Sequence, residues 1–223
     1  MSGCGRRLLT FPLPHGLTAS RPLTLFLEPF HQLDPERWKE IEVKGQTQYS
    51  IQELNGSRRL QGHSQNGASI LMSPFRFNPE TYEWLSWSWR VDKFVEGEDL
   101  ATKEGSDASA RVYVYFDTPG LPWQKRSIDY VWSAKLPEGT MLNSAFSKHA
   151  KIVVVDSGTE HAGSWRTVVR NIERDYQRCF GRVDPPDVVA VGLMVDTDNT
   201  RSEAMAYFDD VMISRDRPPQ RTP

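Results

Sequence analysis

The chain has 223 residues, 38% of them hydrophobic, with a formal charge of −2 and a pI near 6.2. That is enough to bury one sizeable core, and it provides no basic field to steer the chain toward nucleic acid or an acidic membrane surface. Its two cysteines, Cys4 and Cys179, make no disulfide framework. With no Cys-x-x-Cys and only scattered histidines, a zinc site lacks ligands.

Residues 1–24 are expected to be a loose segment. Arg6 and Arg7 precede a weakly apolar run that Pro12, Pro14 and His15 interrupt, so it lacks a good apolar core and reads either as a plain loose segment or as a degraded or wrongly started signal peptide. Residues 25–214 read as one domain, and the polar, Pro-rich 215–223 as a disordered tail. No run approaches the roughly 18 apolar residues of a spanning helix, so no membrane insertion is expected.

Within the domain, "WKEIEV", "TQYSIQEL", "RRLQGHS" and "ASILMSPFRF" read as short strands. "WLSWSWRVD" alternates strictly, with Leu85, Trp87, Trp89 and Val91 on one face. The polar, acidic stretch 96–109 is a long loop for a compact domain, a length often tied to function or mobility. "ARVYVYF" puts Val112, Val114 and Phe116 on one face and Arg111, Tyr113 and Tyr115 on the other, and "SIDYVWSA" groups Ile128, Tyr130 and Trp132. "KIVVVDSG" and "DVVAVGLMVD" are apolar on both faces, as in covered central strands. "SWRTVVRN" and "AMAYFDDVMIS" complete the set. Between them, Ile172, Tyr176, Cys179 and Phe180 recur at helical spacing, with Asn171 as cap and Gly181 as stop. Roughly ten strands, with turn signals about every 8–15 residues, predict an all-β, jelly-roll-like β-sandwich of two antiparallel sheets with one short helix near 171–180.

Several polar groups are candidates for chemistry. Asp196, Asp198 and Thr200 carry oxygens at the alternate spacing of a calcium loop. Arg201 and Tyr207, however, stand where an EF-hand needs its glycine and closing glutamate, and a plain turn is the other reading. On the last strand, strict alternation turns either Asp209 or Asp210 toward an apolar face. A carboxylate there needs a metal, backbone N–H groups or an arginine; Arg111 and Arg170 are the arginines at hand. Arg170, Asn171, Asp175 and Tyr176 form either a capped, ion-paired helix start or a polar edge for a hydroxylated ligand. "GSRRLQG" lacks the Lys-Ser/Thr of a phosphate loop, and "VVVDSGTEHAGSW" lacks a nucleophile elbow.

The ordered series "WLSWSWRVD", "SDASARVYVYFD", "IDYVWS", "VVVDSGTEHAGSWRTVVRNIERDYQRCFG" and "VDTDNTRSEAMAYFDDVMIS" resembles a bacterial family, domain of unknown function 3047, over about residues 27–214. The resemblance implies a fold and no defined activity, and favours a periplasmic or secreted location. Where it implies an acidic pair ahead of "ARVYVYF", the chain has Ser106-Asp107. More distantly, "LEPFHQLDPERWKEIEV" and "AYFDDVMIS" are similar to the opening and closing strands of jelly-roll carbohydrate-binding modules. That similarity implies a structural Ca2+ held by Glu28 with Asp209 or Asp210; Asp196 and Asp198 complete the candidate metal set. The resulting expectation is a non-catalytic module that binds a glycan or small polyol. Its groove would be lined by Arg111, Tyr113, Tyr115, Trp132 and Arg170, with Asn171 and Asp175 at its edge. Two alternatives stand beside it. One is a glycan-active hydrolase or lyase using the acidic loop and the Asp196–Asp198 turn. The other is an assembly factor, since complex I intermediate-associated proteins share a similar sandwich.

Overall fold

Alternation along the strands decides the architecture. In a computed structural model, residues 23–121, 124–181 and 183–219 are described. Nearly all of the expected loose segment, and residues 220–223 of the expected tail, lie outside them. In chain order the strands are β1 (Thr24–Glu28), β2 (Lys39–Lys44), β3 (Thr47–Leu54), β4 (Ser57–Gln65), β5 (Ala68–Phe77), β6 (Trp84–Lys93) and β7 (Ala110–Phe116). They continue with β8 (Ser127–Ser133), β9 (Met141–Asn143), β10 (Ala150–Ser157), β11 (Arg166–Asn171), helix α1 (Ile172–Phe180), β12 (Val188–Met194) and β13 (Glu203–Ser214). Among the described residues no helix is long and apolar enough to cross a membrane.

Sheet A runs β11-β6-β13-β4-β3, with β1 also on β13, and sheet B runs β2-β5-β12-β7-β8-β10-β9. The inner eight strands pair as one long hairpin rolled up: β7 with β8, β6 with β11, β5 with β12, β4 with β13. Successive pairs fall on alternate sheets, which is the jelly-roll arrangement. One junction departs from antiparallel pairing. β10 runs parallel to β8 and antiparallel to β9, so it lies between them and carries sheet B past the edge of the roll.

Aromatic rings join the sheets. Leu85, Trp87, Trp89 and Val91 of β6 are fully buried, and so are Val112, Val114 and Phe116 of β7 and Ile128, Tyr130 and Trp132 of β8. Across the interface Trp87 lies 5.5 Å from Tyr130 and Trp89 lies 5.9 Å from Trp132, between ring centroids. Trp132 therefore belongs to the core. Its Nε1 donates to the Gly158 carbonyl at 2.9 Å, and the expectation that it lines a groove is corrected.

Strand β13 solves its aspartate problem by breaking alternation. Ala204, Ala206 and Phe208 face the core, and then Val211 and Ile213 do, a change of phase by one residue. The register against β6 slips between Asp209 and Met212, and Asp210 takes φ +49°. This is a β-bulge. It keeps both aspartates off the core face, and Asp209 pairs with Arg59 at 2.8 Å instead of Arg111 or Arg170.

Replacing Trp89 by alanine is expected to cost about 3–5 kcal/mol, read as a lower midpoint in urea unfolding with little change in slope.

Candidate functional site

The pleat that buries Val112, Val114 and Phe116 turns Arg111, Tyr113 and Tyr115 to the outer face of sheet B. In register, Tyr113 stands between Asp129 of β8 and Gly192 of β12, and Arg111 stands between Val131 and Met194. Gly192 leaves room there: a Cβ would come within 2.9 Å of Ile70 Cγ2. The result is a groove of about 670 Å³, inside the roughly 300–1,000 Å³ range of small-molecule sites. Tyr113, Tyr115, Asp129 and Met194 make its floor. Val43 and Lys44 at the end of β2, with Asp198 and Asn199, form one wall. The segment between β9 and β10, with Ser144, Phe146 and Ser147, forms another. The β9–β10 extension of the sheet thus raises a wall that an eight-stranded roll would lack.

The floor is aromatic and charged at once. Tyr113 and Tyr115 stack with centroids 5.6 Å apart and planes 16° apart. Tyr113 is almost covered and its hydroxyl donates to Met194 Sδ at 3.3 Å, while Tyr115 is more open. Arg111 is buried. Its Nε donates to Asp196 Oδ1 at 2.9 Å and its Nη2 to Asp196 Oδ2 at 3.2 Å, and Nη2 also donates to the Ser106 carbonyl. Asp196 further accepts the Ala108 N–H at 3.0 Å. Burial and the nearby Asp107 push the Asp196 carboxyl up, against the pull of Arg111 and the Ala108 N–H.

Asp129 differs. It is 4% exposed and accepts one hydrogen bond, from Ser127 Oγ at 2.8 Å. Among the described residues it has no ion-pair partner. Burial pushes its carboxyl up to about 6, against the opposing pull of Arg111 and Ser127. Asp129 was absent from the sequence-based set, although its signal was present. The alternation that groups Ile128, Tyr130 and Trp132 already places Asp129 on the other face; the β7–β8 register then sets it beside Tyr113.

The remaining expected residues lie elsewhere. Arg170 forks onto Asp175 at 2.8 and 2.6 Å, and Asp175 also accepts the Tyr130 hydroxyl at 2.9 Å. Asn171 caps α1, accepting from the Arg174 N–H at 2.9 Å, and donates to Glu83 at 2.7 Å. This cluster ties the helix to the sandwich and does not line the groove. The loop 96–109 is not an open acidic arm. It folds onto the outer face of sheet B, burying Leu100 and Ala108 against Val131, Ile152 and Val154.

The five residues expected to hold Ca2+ do not converge. Asp196 and Asp198 join Asp107, with ligand atoms within 4.8 Å of one another. Asp107 already accepts the N–H groups of Asn199 and Thr200 at 3.0 and 2.7 Å, Asn199 Nδ2 at 2.8 Å and Thr200 Oγ1 at 2.7 Å. A cation would have to displace those donors and Arg111. Glu28 accepts from Arg37 and Trp38, each at 3.1 Å, and Asp209 from Arg59.

Compared with known families, residues 36–212 match the model described as "Protein of unknown function (DUF3047)". No curated protein matches. Among solved structures, a carbohydrate-binding module of family 28, specific for non-crystalline cellulose, is similar at 13% identity and a TM-score of 0.43, over 85% of this chain and 94% of that one. The xyloglucanase domain of NopAA, a type three effector from Sinorhizobium fredii solved with cellobiose, is similar at 9% identity and a TM-score of 0.47, over 82% and 96%. An exo-β-agarase is similar at 11% identity and a TM-score of 0.39; the match covers 89% of this chain and spans 26% of that one.

Two outcomes follow from the site. A folded-state carboxyl raised from 3.8 to about 6 penalises folding wherever it is ionised. The penalty is complete above pH 6 and absent below the ordinary value. Asp129→Asn is therefore expected to stabilise the protein at pH 7 by on the order of 2 kcal/mol, and the gain should vanish in melts near pH 3.5. Thermal melts with and without a chelator are expected to coincide, because Asp107 and Asp196 are already bonded to protein donors and Asp198 accepts from Asn199 and lies 3.6 Å from Lys44.

Proposed function

We propose, from the premise that the chain belongs to the DUF3047 family, that it binds a polyhydroxylated ligand, a glycan or small polyol, in the sheet B groove without cleaving it. The observation that carries this reading is the stacked Tyr113–Tyr115 pair lying beside buried charge on the floor of an open groove. Ring faces accept the C–H surface of a sugar. Asp129, Asn199 and Lys44 offer the mixture of acceptors and donors that hydroxyl groups need. Phe146, 59% exposed on the wall, adds a further ring. The ionisable Asp129 is kept inside at a cost in stability, which supports a role in function over a role in folding.

Hydrolysis is less well supported. It needs two carboxylates roughly 5–10 Å apart that are free to act as acid and as base or nucleophile. Asp196 is held by Arg111 and the Ala108 N–H, and Asp107 by Asn199 and Thr200; Asp129 alone lacks such ties. An assembly factor would call for a broad, flat apolar patch, whereas the outer face of sheet B is concave and charged.

A glycan array followed by calorimetry tests the reading. Saturable binding to at least one saccharide class is expected, and Tyr115→Ala should weaken it by about three- to tenfold. Absence of binding to any saccharide at millimolar concentration would remove the proposal.

A further inference from the structure

The charges lining the groove do not balance pair by pair. Three cations line it, and each already has a partner: Lys44 lies 3.6 Å from Asp198, Arg111 is 2.9 Å from Asp196, and Lys125 is 2.6 Å from Asp117. Three carboxylates line it as well. Two of these, Asp196 and Asp198, are the partners just named, and Asp107 stands close behind them. The third, Asp129, is more than nine-tenths buried, faces the groove and, among the described residues, has a single hydrogen bond, from a neutral hydroxyl.

We propose that the groove selects a saccharide bearing a free amine, whose ammonium sits against Asp129 and beside the ring of Tyr113. The inference rests on the groove being the glycan site argued above. Among the residues that line the groove a uronate meets no unpaired cation and approaches several carboxylates; Lys103, 5.8 Å over the Phe146 ring, lies outside that lining. A neutral hydroxyl hydrogen-bonds Asp129 but leaves its charge unmatched. An ammonium supplies both the charge and the donors, and charge-assisted hydrogen bonds are roughly twice as strong as neutral ones. The register helps: Tyr113 is the direct cross-strand neighbour of Asp129, so a cation at that carboxylate lies next to an aromatic ring.

Calorimetry at pH 7 with a glucosamine tetramer, its fully N-acetylated counterpart, a galacturonate tetramer and the simple diamine putrescine tests this. The amine sugar is expected to bind about tenfold tighter than the N-acetylated one, the uronate weakest of the saccharides, and putrescine far more weakly than the amine sugar. In Asp129→Asn the two hexosamine ligands should come within about twofold of each other, with a melt confirming the fold. Equal or tighter binding of the N-acetylated tetramer to the unmodified protein overturns the proposal, and so does a preference that survives in Asp129→Asn. Equal loss of both ligands in that variant, or putrescine matching the amine sugar, overturns it too. In those cases saccharide binding itself would leave the glycan-groove reading standing. Failure of every saccharide would instead remove that reading.

Discussion

Arg111 reaches from β7 to Asp196 beyond the end of β12, and Asp196 accepts the N–H of Ala108. Through the Ser106 carbonyl the same guanidinium holds the loop that precedes β7. One buried ion pair thus fastens the strand under the groove, the turn that walls it and the loop that folds across sheet B. Desolvating two charges is costly, and such a pair is close to neutral for stability only while both members are present. Losing one member leaves an unmatched buried charge, worth about 3–5 kcal/mol. The geometry of the outer face therefore depends on this contact in a way the core does not. The core holds through the rings of Trp87, Trp89, Tyr130 and Trp132, packed between the sheets.

The two faces of β7 obey different rules. Inward, Val112, Val114 and Phe116 bury apolar surface, and any chain with that pattern would do so. Outward, Arg111, Tyr113 and Tyr115 lie on a concave surface that two additions enclose. One is β2 on the far edge of sheet B, and the other is the parallel β10 with its β9 partner. Without those walls the same side chains would stand on an ordinary solvated sheet face. Enclosure raises the Asp129 carboxyl and strengthens any charge interaction made there.

Much of the architecture was legible in local pattern. Leu85, Trp87, Trp89 and Val91 occupy the core as their spacing requires, and β10 and β12, apolar on both faces, are interior strands of sheet B. The Asn171 cap and the helix from Ile172 also stand where capping and period 3.6 placed them. Local pattern misled where a rule was applied past its range. Alternation through Asp209 and Asp210 broke at a bulge, which no period-two count foresees. Trp132 has a ring suited to a ligand, yet its own parity, shared with Ile128 and Tyr130, puts it in the core.

By itself, then, the sequence determined a two-sheet β-sandwich with one helix, and which side of β7 would be polar. Hydrophobic alternation acts between neighbours along the chain and needs nothing distant to be read. Only the tertiary structure decided that the polar side would be a groove, that Asp196 would serve Arg111, and that Asp129, though within the field of Arg111, would have no ion-pair partner among the described residues. Those outcomes depend on strand order and register, which bring together residues as far apart as Arg111 and Asp196, or Tyr113 and Asp129, across backbone hydrogen bonds that carry no trace in side-chain spacing.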